Sequence, residues 1–173
     1  KRRSIFAIRL PSSSTDDIAS ASHALCAEME RNNAESGNFQ ALIRRVIDIL
    51  YLVCRPKAPA AHVHQASSLV FLLRLFLKHM IETQDAEGLA AHLLDPSSAA
   101  SLAGPLVQAL LTVLVQCECN DESYWLHMEA VAALCVCLST QMFAQLDDPT
   151  PQPFVHAALT SGGPGAELLV SRL

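Results

Sequence analysis

Residues 39–53 carry the clearest pattern in the chain. Phe39, Leu42, Ile43, Val46, Leu50 and Val53 recur at i, i+3, i+4 and i+7 spacing, and Arg44, Arg45 and Asp48 fall on the other side. That is the period of an amphipathic helix burying one stripe. The polar string before it reads as a turn. Asn32 and Asn33 end the preceding helix, Gly37 permits a positive φ, and Asn38 caps the helix that follows. The helix stops before Arg55-Pro56, because proline disfavours helical geometry in the residue ahead of it.

The rest of the chain follows the same alternation of apolar helical runs and polar breaks. A first helix begins at Ser14 or Thr15, with Asp16 and Asp17 in its opening turn, and ends near Asn32. Its modest face is Ile18, Ala21, Leu25 and Met29. Residues 62–84 form the most apolar segment, broken only by a narrow stripe of Arg74, Lys78 and Glu82. A helix apolar over most of its circumference is flanked on several sides. A shorter helix over 86–94 ends at Asp95-Pro96, and the next runs from Gly104-Pro105 to about residue 118. The last long helix spans 122 to about 146, capped by Asn120 or Asp121, and a short one follows over 154–159. Gly162-Gly163-Pro164-Gly165 then breaks the chain before an apolar, helix-like segment at 166–173. Residues 1–14 read as an extended lead-in closed by Pro11.

Helices joined by short polar turns, at about 40 residues per pair, predict an all-α fold, an irregular α-solenoid of the HEAT or armadillo kind. On this reading residues 15–173 are the N-terminal portion of a helical-repeat domain that continues beyond them. No motif recurs at fixed spacing, and a compact orthogonal bundle is the alternative.

Composition narrows the function classes. Apolar residues make up 51% and charged residues 17%, with mean hydropathy +0.27. A charged fraction that low suits a piece of a larger helical protein or a chain with membrane contact. Net charge is −5, and the one basic run is Lys1-Arg2-Arg3, which argues against nucleic acid. Ile5 to Leu10 is too short for a secretory leader and contains Arg9.

Candidate chemistry is sparse. Cys117-Glu118-Cys119 and Cys135-Val136-Cys137, with His127 between them, invite a zinc reading. Read on helices, Cys-x-Cys points its two thiols about 200° apart, whereas structural zinc favours Cys-x2-Cys turns. All six cysteines, Cys26 and Cys54 included, are therefore expected to be reduced, mostly as packing residues. The seven histidines read as surface or helix-end residues, and no HExxH occurs. Ser12-Ser13-Ser14-Thr15 reads as a loop and helix cap, and the Gly162–Gly165 string lacks the Lys-Ser/Thr of a phosphate loop. No catalytic, cofactor-binding or metal-binding residue is nominated, and no cofactor or small-molecule substrate is expected.

Membrane insertion is the main rival. Between Asp95 and Glu118 no charge occurs, over a stretch near the 20 residues a spanning helix needs. Gly104-Pro105 interrupts that run and Ser97, Ser98, Ser101, Gln108, Thr112 and Gln116 dilute it. Arg74 and Lys78 sit in the middle of the third helix, where a bilayer penalises each by about 3 kcal/mol.

The strings themselves resemble a known family. Residues 33–43 (NAESGNFQALI) and the run from Val46 are similar to an early helix-turn-helix of the dymeclin family. So are the apolar segment 68–80, the segment 129–143 ending Leu138-Ser139-Thr140-Gln141-Met142-Phe143, and the tail with Gly163-Pro164 before Leu168-Leu169-Val170. The similarity runs from about Thr15 and is weakest over 83–103 and 1–14. The resemblance implies a large, mainly helical, non-enzymatic scaffold. It would be peripheral on the cytosolic face of the Golgi apparatus, exchange with the cytoplasm, and serve Golgi organisation and trafficking through other proteins. It also implies an N-terminal myristoylation site lying before Lys1. The alternatives are an integral membrane protein of the secretory pathway or a cytosolic helical adaptor.

Overall fold

A computed structural model describes residues 15–140 and 152–161. They form seven helices: α1 (Thr15–Ser36), α2 (Asn38–Val53), α3 (Ala60–Thr83), α4 (Ala86–His92), α5 (Ala103–Gln116), α6 (Tyr124–Leu138) and α7 (Pro153–Ser161). The described residues contain no strand, only an isolated bridge between Leu94 and Ser101. The all-α expectation holds. The last long helix ends at Leu138, with Ser139 as its C-cap, short of the expected residue 146. The lead-in at 1–14, residues 141–146, the glycine string and the segment 166–173 lie outside the described residues.

The junction of α1 and α2 departs from the expected turn. The first helix does not stop at Asn32 or Asn33 but continues to Ser36, with the Asn33 carbonyl accepting from Gly37 N–H at 2.9 Å. Gly37 does take the left-handed conformation, φ 62° and ψ 19°, and it occupies the N-cap position expected of Asn38. Asn38 is already helical. The side chain that caps α2 is Asn33, whose Oδ1 accepts from the Phe39 backbone N–H at 2.8 Å. A buried amide on the preceding helix thus satisfies an orphan donor of the next.

On α2 and α3 the buried faces follow the helical period. On α1 the expected face does not hold: Ala21 and Leu25 are exposed, Leu25 by 60%, Met29 is only partly covered, and Cys26 is the residue that turns inward. On α2 the fully covered residues include Phe39, Ile43, Val46, Ile49 and Leu50, with Leu42 only partly covered. On α3 Val70, Leu73, Leu77 and Met80 are fully enclosed. Pro105 falls in the first turn of α5, where a missing N–H costs no hydrogen bond. The start of α6 moves from the expected residue 122 to Tyr124, and its N-cap is Ser123, not Asn120 or Asp121. Asn120 shapes the turn before it, its Oδ1 accepting from Glu122 N and Ser123 N, both at 3.0 Å.

The helices assemble as two hairpins side by side. The α2–α3 hairpin lies against the α5–α6 hairpin, with α2 on α5 and α3 on α6. The ends of α2 and α5 and the starts of α3 and α6 line one groove, so the hairpins run in the same sense. On one side α1 covers α3 and α2, and on the other α7 rests on α5 and touches α6. Phe154 and Ala157 of α7 are buried there.

Candidate interaction surfaces

Polar side chains in this fold mostly join helices to one another. Glu30 holds α1 onto α3. Its carboxylate meets His79 Nε2 at 2.7 Å, accepts from Thr83 Oγ1 at 3.4 Å, and pairs with the Gln84 amide. His23 adds an edge-on ring contact with His79, centroids 5.1 Å apart. Asn33 Nδ2 lies 2.9 Å from His92 Nδ1, which ties α1 to α4. Arg74 of α3 reaches Glu129 of α6 through two hydrogen bonds, at 2.8 and 3.3 Å, so it belongs to a helix interface and not to a solvent stripe. Lys78 and Glu82 pair along α3 as expected, at 2.6 Å.

The histidines and cysteines divide differently from the expectation. His79 is buried in the body of α3, not at a surface or helix end. His127 sets its two ring nitrogens near the Ser123 and Cys117 carbonyls, at 3.0 and 3.2 Å. Because α5 ends at Gln116, Cys117 and Cys119 occupy the turn after it and not a helix. Cys119 and Cys135 are exposed, so packing explains only Cys26, Cys137 and, in part, Cys54 and Cys117. Among the described residues no three potential metal ligands gather. Burial pushes the Cys137 thiol up to about 12. Cys54 goes up to about 11, first from burial and then from the neighbouring Cys117.

Two surface features remain. One is the groove between the α2–α3 and α5–α6 turns, about 360 Å³, lined by Cys54, Arg55, Lys57, Cys117, Glu118 and Glu122. The α2–α3 turn supplies its two cations, Arg55 and Lys57, and the α5–α6 turn its two carboxylates, Glu118 and Glu122; Lys57 holds a left-handed φ of 64°. The other is a stripe along α6. Tyr124, Met128, Val131 and Leu138 are each 45–50% exposed, Cys135 is exposed between the last two, and Trp125 at the edge is 67% exposed. Their 4-3-4-3 spacing places them on one face. The buried residues of the same helix, Leu126, Ala130, Ala133 and Cys137, form a second stripe two positions on. Two residues correspond to about 200° of helix, so the exposed stripe faces directly away from the core.

Sequence reasoning missed that stripe although its spacing was visible. With apolar residues on both faces, α6 has almost no amphipathic contrast to mark which side is covered.

Membrane candidacy also moves. The uncharged run after Asp95 resolves into a tight loop and the 14-residue α5. Among the described residues the helix long and apolar enough to cross a bilayer is α3, with 24 residues. It packs against α1, α2 and α6.

A family profile described as "Dymeclin: Dyggve-Melchior-Clausen syndrome protein" matches residues 4–173. The match runs through 83–103 and most of the lead-in, where the strings resembled that family least. No curated protein and no solved structure matches the chain.

Proposed function

The chain belongs to the dymeclin family, and from that premise we propose that it forms part of a non-enzymatic scaffold at the cytosolic face of the Golgi apparatus. It acts there in Golgi organisation and secretory trafficking through contacts with other proteins, and it exchanges with the cytoplasm. The observation that carries this reading is the side-by-side stacking of the α2–α3 and α5–α6 hairpins. Hairpins stacked in one sense are the unit of an irregular α-solenoid, whose extended surfaces serve binding and not turnover. The array is the N-terminal portion of a longer helical-repeat domain. Membrane contact is peripheral, through a lipid anchor outside these residues, and one acyl chain of that kind gives only reversible attachment. Net charge of −5 supports protein over nucleic-acid partners.

The length and composition of α3 favour one second reading, an integral membrane protein in which α3 spans the bilayer. Membranes from cells expressing tagged Lys1–Leu173, extracted with alkaline carbonate, separate the two. Release into the supernatant is expected, because crossing would strip Arg74 from Glu129. Retention in the pellet would favour the spanning reading. The Golgi assignment is tested by imaging the lipid-anchored parent protein beside a Golgi marker, and a purely diffuse distribution would overturn it.

A further inference from the structure

The groove between the α2–α3 and α5–α6 turns has two walls of opposite charge. Arg55 and Lys57 stand on one, Glu118 and Glu122 on the other, and all four residues are exposed. None of the four side chains forms an ion pair or hydrogen bond with another described residue, so no bridge closes the groove. Arg44 and Arg74, by contrast, are each matched to a carboxylate far along the chain. Between the walls lie Val53 and Val63, both buried, and the half-buried Cys54 and Cys117. A charged rim around an apolar centre is the anatomy of a protein interface. At about 360 Å³ the space is at the low end for a ligand site, suited to a few side chains.

We infer that this groove docks an extended segment of a partner protein in which an acidic, an apolar and a basic residue follow one another at every second position. That spacing turns all three side chains to one face of an extended chain. The acid meets Arg55 and Lys57, the base meets Glu118 and Glu122, and the apolar side chain covers Cys54 and Cys117. Charge complementarity sets simpler ligands aside. A phosphate or a nucleic acid would face two carboxylates as well as two cations, on a chain of net charge −5. A wholly basic segment would meet the same conflict at Arg55 and Lys57. A ligand carrying both signs satisfies both walls, and the opposed potentials fix its direction in the groove. This partner class deepens the scaffold reading and rests on its claim of protein contacts, while the Golgi assignment is tested separately by imaging.

The test uses purified Lys1–Leu173 and the capped peptide acetyl-Glu-Thr-Leu-Thr-Lys-amide in low-salt buffer, with saturation-transfer NMR read on the peptide protons. Binding is expected, and replacing either charged residue of the peptide by Gln should weaken it about fivefold, the upper end for one exposed ion pair. Arg55→Glu combined with Lys57→Glu should abolish the transfer, and so should Glu118→Lys combined with Glu122→Lys. All four positions are exposed, and far-UV circular dichroism checks that the helices persist in both variants. Bound peptide should also slow alkylation of Cys117. A peptide that gives no transfer at about 1 mM, or binds no better than its double-Gln analogue, overturns the inference. Binding that survives both wall reversals puts the peptide elsewhere and overturns it as well. Association of the protein with itself, lost in both reversals, would make a second copy the occupant and overturn peptide docking. Each of these failures leaves the carbonate and imaging tests of the Golgi reading standing.

Discussion

Asn33 accepts a hydrogen bond from the backbone N–H of Phe39 at 2.8 Å, across the left-handed residue that separates α1 from α2. The amide is 1% exposed, and its nitrogen meets His92 of α4. One buried side chain therefore fixes the angle of the first two helices and attaches α4 to both.

Asn33→Ala leaves the Phe39 N–H without its acceptor and His92 without its partner. The expected loss is about 1–3 kcal/mol, the range for stranding buried polar groups. Asn33→Asp keeps the acceptor toward Phe39 and should lose less. Urea unfolding of both variants checks the order, and equal losses would show that the contact with His92 dominates.

Gly37→Ala isolates backbone strain from crowding. A Cβ at Gly37 would meet its nearest neighbour, Gln40 Oε1, at 3.9 Å, an ordinary contact. The whole cost is then the positive φ, about 1 kcal/mol. Gly37→Asn should cost less, since Asn tolerates the left-handed region. Thermal melts that leave Gly37→Ala at wild-type stability would remove the conformational argument.

What the sequence made legible was local. Helical period set α2 and α3 to within a few residues, and glycine chemistry located the positive φ at Gly37. What it hid were relations between distant residues. Nothing near Asn33 in sequence shows that it caps Phe39 across a turn, and local pattern points instead to Asn38 next door. Arg74 looked like a member of an i, i+4 surface stripe because its partner, Glu129, lies 55 positions away. Cys135 and Cys137 do lie on α6, but Cys117 and Cys119 read as helical only because no strong breaker ends α5, whereas Gln116 is its last residue.

The Arg74–Glu129 pair is partly shielded, at 24% and 19% side-chain exposure, and holds α3 to α6 with two hydrogen bonds. A double-mutant cycle with Arg74→Met and Glu129→Gln should return a coupling of about 1–2 kcal/mol. Lys78 and Glu82 are more exposed, at 57% and 39%, and should couple by only about 0.3 kcal/mol. Arg74→Lys should recover only part of the stability, since an ammonium cannot form both bonds. Equal coupling in the two pairs would mean that shielding contributes nothing here.

Asp95 gives the fold a defined acid response. Ser97 donates to its carboxylate from both backbone and side chain, and Arg44 stands beside it, so its proton affinity falls below the ordinary carboxylate value. A carboxylate depressed on folding adds stability above its unfolded value and loses it as pH falls through the folded one. Asp95→Asn should therefore be less stable than wild type at neutral pH, with the gap narrowing in acid. Denaturant midpoints measured from pH 7 down to pH 3 test this, and a gap that widens in acid would reverse the sign.

Thiol reactivity should separate the cysteines by environment. Cys119 lies exposed in the turn after α5. Cys54 caps the end of α2 with its thiol pushed up to about 11, and at pH 8 only about one in a thousand such thiols is the reactive thiolate. Cys137 is buried and pushed up to about 12. Iodoacetamide at pH 8, followed by peptide mass spectrometry, should label Cys119 first, Cys54 far more slowly, and Cys137 only as the protein unfolds. Adding urea below the unfolding midpoint sharpens the test. If Cys137 reports global opening, its labelling rate climbs with denaturant while that of Cys119 barely changes. Labelling of Cys137 at the rate of Cys119 in native buffer would mean that α6 does not hold its inner face against α3 and α5.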